Sequence, residues 1–463
     1  MDPEIFKAYD IRGKYPEQID ERDAEDIAYA YVSFLREERS LEKMKIVVGR
    51  DMRLSSPALA EATIKGLREA GSDVIDIGLC STPTFYFAVG KLDADGGIQV
   101  SASHNPKEYN GMKIVSRKAY PVCMVNGFKR IRDIALQRQK DKKKIKEQDT
   151  GYALGKVSLY DTMLDECAKF SLNLFDFQGL RPCKVVADPA NSMGAYDLEA
   201  LFSSIPGELV RMNFKLDGTF PAHQPDPLQD ETLGKLKERI TAEKADLGIA
   251  TDGDGDRIFF IDEKGKTIEP GIIRGMLAGF VLKHNPGANI GYDARPGMIT
   301  RDMIIENKGK PFITKVGHSL IKMKAIEMQA PFAGESSGHF YFSSRYGTYE
   351  FPMVTSLIIL KIMSGEGKPI SEIIRPLQRY FHSGEINSTV KDKDRVFSEL
   401  ERLYRPGAES MAKIDGISIE HKDYWFNVRA SNTEPLVRLN LEARDKETMQ
   451  KKTEEILALI RSC

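Results

Sequence analysis

At 463 residues, 41% hydrophobic and 29% charged with a formal net charge of -1, the chain has an ordinary globular composition and enough length for three or four domains. Near-neutral charge excludes a nucleic-acid or membrane surface as the main partner, and no apolar run approaches the roughly 18 residues of a membrane span. The opening Met-Asp-Pro-Glu lacks a signal peptide's basic and apolar regions, and five scattered cysteines without a CxxC pair read as reduced thiols, so the expected compartment is the cytoplasm.

In chain order, the segment from Ile5 to Gly13 alternates like a strand and places Tyr9 and Arg12 near a turn. Arg12 reads either as a phosphate fork or as a solvated charge. A β-α-β pattern then occurs three times: strand 45–51, helix 58–70 and strand 73–77; strand 183–187, helix 195–205 and strand 208–212; strand 288–292, helix 297–307 and strand 312–316. Strands alternating with helices imply right-handed crossovers and mainly parallel sheets. Three similar α/β domains follow. The basic run 138–146 marks a solvated boundary after the first.

Each repeat delivers one conspicuous loop, where ligands of open α/β sheets collect. The first is Ser103-His104-Asn105-Pro106, at the end of the apolar run through Ile98 and Val100. A serine hydroxyl is a poor nucleophile unaided, so Ser103 is either a cap or turn residue or a serine with a metal, an activating base or a group already attached. The second loop is Asp252-Gly253-Asp254-Gly255-Asp256-Arg257. Three carboxylates at alternate positions offer hard oxygen ligands to one divalent cation, with Mg²⁺ the default beside phosphate. An EF-hand is excluded, because Arg257 stands where that loop needs glycine and the flanks read as strands. The third loop is Gly334-Glu335-Ser336-Ser337-Gly338-His339.

Beyond Pro369 the texture changes to a helix over 395–404, strands over 417–420, 424–428 and 437–443, and a helix over 447–460, a small α+β domain. Between two of its strands, Arg429-Ala430-Ser431-Asn432-Thr433-Glu434-Pro435 reads as an anion cradle or a structural turn. The expected architecture is α/β, with domains at 1–148, 149–265 and 266–370 and the α+β domain at 371–463.

These motifs, with Phe6-Lys-Ala-Tyr-Asp-Ile-Arg12-Gly at the front, resemble the α-D-phosphohexomutases in kind and in order, over essentially the whole chain, and within that family the phosphomannomutase/phosphoglucomutase branch. The resemblance implies four domains around a central cleft and interconversion of hexose 1-phosphate and hexose 6-phosphate, of mannose, glucose or both. It also implies a phosphoserine enzyme and a hexose 1,6-bisphosphate intermediate and activator. By motif, Ser103 matches the phosphorylated serine and, with Asp252, Asp254 and Asp256, the Mg²⁺ ligands; Lys113 matches the general acid/base, with a pKa expected to be lowered by nearby positive charge from the metal and arginine. His318 and His339 match histidines near the reacting oxygens; His104 and Arg257 are expected among the catalytic residues, Arg257 neutralising charge on the moving phosphoryl group. Glu335 and Ser337 match the residues that hold sugar hydroxyls, while Arg429, Ser431, Asn432 and Thr433, with Tyr9 and Arg12 close by, match the phosphate-binding groups. Arg295 stands where many members carry lysine, and Tyr349-Glu350-Phe351-Pro352 replaces the usual acidic-glycine stretch; both bear on substrate fit. A phosphoglucosamine mutase, a metal-dependent phosphosugar phosphatase and a phosphosugar-binding protein without catalysis are the alternatives, and a monomer or homodimer is expected.

Overall fold

The computed structural model describes residues 1–40, 43–142, 153–430 and 436–463. They form two compact units, Met1–Ile268 with His339–Ser371, and Glu269–Gly338 with Glu372–Cys463. Among the described residues no helix is long and apolar enough to cross a membrane, and the five cysteines are thiols.

In the first unit a seven-stranded sheet runs in the order Ile11–Lys14, Tyr109–Ser116, Gly96–Val100, Lys45–Arg50, Asp73–Leu79, Val157–Leu159, with Tyr120–Val122 beside Tyr109–Ser116. The strands Lys45–Arg50, Asp73–Leu79, Gly96–Val100 and Val157–Leu159 are mutually parallel, as helical crossovers require. Tyr109–Ser116 has no helix before it, so it returns antiparallel to Gly96–Val100, and the intervening turn carries Ser103. A helix over Glu21–Arg39, absent from the sequence reading, covers this sheet; Asp20 caps it by accepting from Asp23 N, and Arg36 and Arg39 complement its C-terminus.

A second sheet of the same unit repeats the device. Cys183–Asp188 lies parallel to Gly207–Arg211 and to Leu247–Thr251, and Ile258–Asp262 turns straight back antiparallel to Leu247–Thr251. The aspartate loop is the reversal between them. Both flanks are strands, as read, but they are buried throughout instead of alternating, the pattern of strands covered on both faces. Serine loop and aspartate loop are thus both hairpin tips at the end of a parallel strand.

The antiparallel pair Phe340–Ser344 and Gly347–Glu350, with the helix Pro352–Glu366, completes the unit. The departure at 349–352 is mostly core. Tyr349 and Phe351 are buried at 0% and 1% exposure, with ring centroids 4.5 Å apart and neighbours in Tyr86 and Phe170. Burying an aromatic of this size stabilises by about 1.5–3 kcal/mol, so these two side chains contribute to packing.

In the second unit Asn289–Asp293 is central, parallel to Lys310–Thr314 and to Phe332–Gly334. The predicted helix over 297–307 is observed as Met298–Glu306. The C-terminal sheet is antiparallel, as an α+β domain requires. Alternation gives it two faces: Phe426, Val428, Val437, Leu439 and Leu441 join the apolar core with the helices Lys393–Tyr404 and Lys446–Ser462, and Asn427, Arg429, Arg438 and Asn440 lie on the other.

The serine turn is organised by a side chain that sequence reading passed over. Arg53, 1% exposed, donates from Nη2 to the carbonyls of Ser103 at 2.7 Å and Asn105 at 2.6 Å, and from Nη1 to those of Pro106 at 2.8 Å and Tyr109 at 3.0 Å. Its Nε lies 3.2 Å from Asp51 Oδ2. Four carbonyls and one carboxylate thus share one buried fork. Arg53→Met is expected to cost about 3–5 kcal/mol, the usual penalty for removing one member of a buried ion pair; a loss below about 1 kcal/mol in urea unfolding followed by circular dichroism contradicts this role.

Candidate active site

Ser103 is 3% exposed and adopts φ +48°, a conformation that a non-glycine residue holds only where its surroundings impose it. Two constraints do so: Ser101 Oγ accepts from Ser103 N at 3.0 Å, and Arg53 holds the carbonyl. Ser103 Oγ then donates to Asp252 Oδ2 at 2.7 Å and lies 3.2 Å from His104 Nδ1. Gly253 makes this approach possible, since a Cβ there would fall 2.2 Å from Ser103 O.

Asp252, Asp254 and Asp256 are all buried, at 0%, 0% and 1% exposure, and one carboxylate oxygen of each lies within 4.8 Å of the others. Donors surround them. Arg257 N donates to Asp252 Oδ1 at 3.1 Å, and Thr82, at the start of the helix Thr82–Lys91, donates Oγ1 to Asp254 Oδ2 at 2.6 Å. Lys113 Nζ lies 2.6 Å from Asp254 Oδ2 and in contact with Asp256 Oδ2. His339 Nε2 lies 3.2 Å from Asp256 Oδ1. Asp254 Oδ1 is buried without a hydrogen-bond partner. An oxygen-only donor set in which Asp254 Oδ1 and Asp256 Oδ1 receive no hydrogen bond from the described residues fits a hard divalent cation.

Burial among two other carboxylates pushes the Asp252 carboxyl up to about 8. Asp254 and Asp256 are also pressed upward by burial, but Lys113 outweighs it and both end below the usual range. Among the protein's own groups, burial presses the Lys113 pKa down, yet the pairing with Asp254 and Asp256 raises it well above the ordinary lysine value, opposite to the lowering expected from the metal and arginine together. Lys113 is therefore an ammonium, a proton donor. His104 is the converse case, lowered to about 2 by burial and then by Arg257 and Arg12, so its imidazole is neutral.

Arg12, on the strand Ile11–Lys14, is ion-paired to Asp10 at 2.7 Å and donates Nη1 to Ala102 O and to Asn105 Oδ1. Tyr9 lies in the bend before that strand. Arg257 Nη1 lies 3.8 Å from Asp226 Oδ1. The first unit thus gathers Ser103, His104, Lys113, the three aspartates, Arg257, His339 and Arg12.

The second unit holds the remaining described candidates. Glu335 Oε1 accepts from Gly317 N at 2.7 Å, in the turn that leads into the helix His318–Glu327, so His318 opens that helix. Ser337 Oγ donates to Glu335 Oε2 at 3.1 Å. Arg295 donates Nε to Asp293 Oδ2 at 2.5 Å and Nη2 to Ser337 Oγ at 3.3 Å; the unusual arginine therefore braces the sugar-loop motif. Arg429 donates Nη2 to Glu385 Oε2 at 2.7 Å, and Arg438, its cross-strand partner, reaches Glu385 Oε1 at 3.2 Å. Ser431, Asn432 and Thr433 lie outside the described residues. Sequence reasoning missed Thr82 and Glu385. Thr82 carried a signal, the Ser-Thr-Pro of a helix start; Glu385 carried none.

The chain matches, in order, the phosphoglucomutase/phosphomannomutase alpha/beta/alpha domain I over residues 3–140, domain II over 163–265 and domain III over 272–380, and the C-terminal domain over 385–459. It is 37% identical to a phosphomannomutase of Escherichia coli across 98% of this chain and 99% of that one, and 37% identical to a phosphomannomutase of Methanocaldococcus jannaschii across 98% and 97%. The crystal structure of a phosphoglucomutase/phosphomannomutase family protein from Burkholderia thailandensis superposes with a TM-score of 0.87 at 32% identity, covering 100% of this chain and 98% of that one. With four domain matches in order and this identity over its length, the protein belongs to the phosphoglucomutase/phosphomannomutase family of phosphohexomutases, phosphotransferring enzymes of the isomerase class.

Proposed function

We propose that the protein interconverts the 1- and 6-phosphates of mannose and glucose through a phosphate ester on Ser103 and a hexose 1,6-bisphosphate that also serves as activator. The observation that carries this reading is the buried Ser103 hydroxyl 2.7 Å from Asp252, at the point where two hairpin tips meet. A serine that already bears phosphate needs no base to activate it, since the protein donates a group it holds. Division into domains at 1–148, 149–265, 266–370 and 371–463 is part of the same reading, supported by the order of the family matches.

Asp252, Asp254 and Asp256, with Ser103, are read as the residues that would hold Mg²⁺. When bound, the ion would supply positive charge to the phosphoryl group in transit, the main demand of such transfers. The chain's own cations serve the same end: Arg257 and Arg12 face the serine turn with permanent charge. Lys113, as an ammonium, gives a proton to the sugar oxygen that leaves as phosphate moves onto Ser103, and in the opposite half-reaction the neutral amine so formed takes one from the attacking hydroxyl. Neutral His104 places Nδ1 3.2 Å from Ser103 Oγ. His339 orients Asp256, and His318 sits at the turn tied to Glu335. In the second unit Glu335 and Ser337 are read as the hydroxyl-binding pair, braced by Arg295. Arg429, with Ser431, Asn432 and Thr433 of the same motif, is read as the anchor of the phosphate that does not react. One anchor then serves both ends as the bisphosphate turns around.

Incubation of hexose 1-phosphate with a trace of hexose 1,6-bisphosphate tests the reading: isomerised hexose 6-phosphate is expected, whereas stoichiometric inorganic phosphate identifies a phosphatase. Asp254→Asn is expected to lower kcat by at least about 10²-fold, several kcal/mol of charge stabilisation, and exhaustive chelation should do the same; full turnover after both returns the aspartates to a structural role. On sugar choice, neither Glu335 nor Ser337 is assigned to the C2 hydroxyl, so no buried partner is left unpaired when that centre inverts. The kcat/KM values for glucose and mannose 1-phosphates are therefore expected within about 10²-fold, roughly 2.7 kcal/mol, with N-acetylglucosamine 1-phosphate poorer than both. A gap above about 10⁴ between the epimers would show that some group reads C2.

A further inference from the structure

The loop between the strand Gly207–Arg211 and the turn Asp230–Leu233 has no part in the scheme above. Its course is set by specific bonds. Asn213 Nδ2 donates to both oxygens of Asp188, at 2.9 and 3.0 Å, and Asn191 donates Nδ2 to Lys215 O at 2.8 Å. At Gly218 the loop presses on the segment that carries Arg53, where a Cβ would lie 2.7 Å from Met52 O and 2.8 Å from Arg53 Cα. The Phe220 ring centroid then lies 5.0 Å from the Arg53 guanidinium carbon.

Farther along, Gln224 Nε2 donates to His104 O. Pro225 packs beside Gly253, whose Cβ would fall 3.3 Å from Pro225 Cγ, and Asp226 Oδ1 faces Arg257 Nη1 at 3.8 Å. One loop thus touches the serine turn, the aspartate loop and the arginine beside them.

His223 closes this arrangement. Its Nε2 lies 3.1 Å from Asp188 Oδ2 and its Nδ1 lies 3.0 Å from Gln224 O. A main-chain carbonyl only accepts. Asp188 is likewise used as an acceptor, by Asn213 and by Ala190 N at 2.9 Å. Both ring nitrogens therefore face acceptors, and of the forms of histidine only the imidazolium has two N–H groups to give. The charged groups that face it are Asp188 on the strand Cys183–Asp188 and Lys235 on the helix Gly234–Glu243; the hydrogen bond to Asp188 outweighs burial and Lys235, and the His223 pKa is raised.

We propose that His223 is a positioning residue for phosphoryl transfer: as an imidazolium it locks the 213–229 loop to Asp188, and the locked loop holds the serine turn through Gln224 and faces Arg257 through Asp226. The proposal rests on Ser103 being the residue that carries phosphate. Because the folded-state pKa is raised, the lock is complete below the ordinary histidine value and is lost as pH rises through the folded value. Turnover then declines on the alkaline side through this group.

Steady-state kinetics on hexose 1-phosphate between about pH 6 and 9 test this in the full-length wild type, His223→Gln and Gln224→Leu. His223→Gln is expected to lose about tenfold in kcat at the acidic end, to hold KM within about twofold, and to lack the alkaline decline of the wild type. Gln224→Leu keeps the His223–Asp188 pair and is expected to show the same fall in kcat with unchanged KM, which decides the matter should His223→Gln fail to fold. A His223→Gln profile parallel to the wild type at equal kcat, a rise in KM alone, or unchanged kcat in Gln224→Leu overturns the proposal. Ser103→Ala is assayed alongside: if it turns over, the underlying serine reading fails, whereas an inactive Ser103→Ala beside unaffected loop variants removes the loop's role alone.

Discussion

Three carboxylates buried within 4.8 Å of one another are the constraint around which the first unit is arranged. Each ionised carboxylate taken out of water costs several kcal/mol even after relaxation, and mutual repulsion adds to that. The structure offsets the cost locally, with the Lys113 ammonium between Asp254 and Asp256, His339 beside Asp256, and Thr82 and the Arg257 amide as neutral donors. What remains is an electrostatically loaded pocket in which two carboxylate oxygens, Asp254 Oδ1 and Asp256 Oδ1, receive no hydrogen bond from the described residues. A cation and a transferable phosphate together suit such a place, because each neutralises what the other leaves over.

The backbone serves the same end by simple means. Two parallel strands each end in a direct antiparallel return, so two tight tips are produced where a helical crossover would have carried the chain away. Arg53 then fixes one tip through four carbonyls, and Gly253 allows the other to approach it closely. In the second unit the polar groups are held in pairs, Glu335 with Ser337 and Arg429 with Glu385. The Arg429 guanidinium thus already has a carboxylate partner, and any anion would have to compete with it.

Much of this was legible in the sequence because it is written in residues with strong local preferences. Alternating Asp and Gly at 252–256, the Ser-His-Asn-Pro turn and the change from helical to strand spacing past 369 each have a local physical meaning, and each stands where the chain order placed it. What was not legible depends on distant partners. Arg53 in Asp51-Met52-Arg53-Leu54 looks like any solvated arginine; its role comes from carbonyls about fifty positions away. The two carboxylates that hold Lys113, Asp254 and Asp256, lie over 140 residues on, and nothing local to Lys113 announces them. Tyr349 and Phe351, in the stretch that replaces the usual acidic-glycine one, are buried aromatics, which only packing reveals.

The proposed function requires Ser103 to be the residue that carries the phosphoryl group. Intact and peptide mass spectrometry of the active protein after exposure to hexose 1,6-bisphosphate measures this directly. A single added phosphoryl group on Ser103, discharged onto hexose 1-phosphate at a rate that matches turnover, is the predicted result; phosphate found only on another residue such as Ser101, or a turnover that proceeds with Ser103 unmodified, would contradict it.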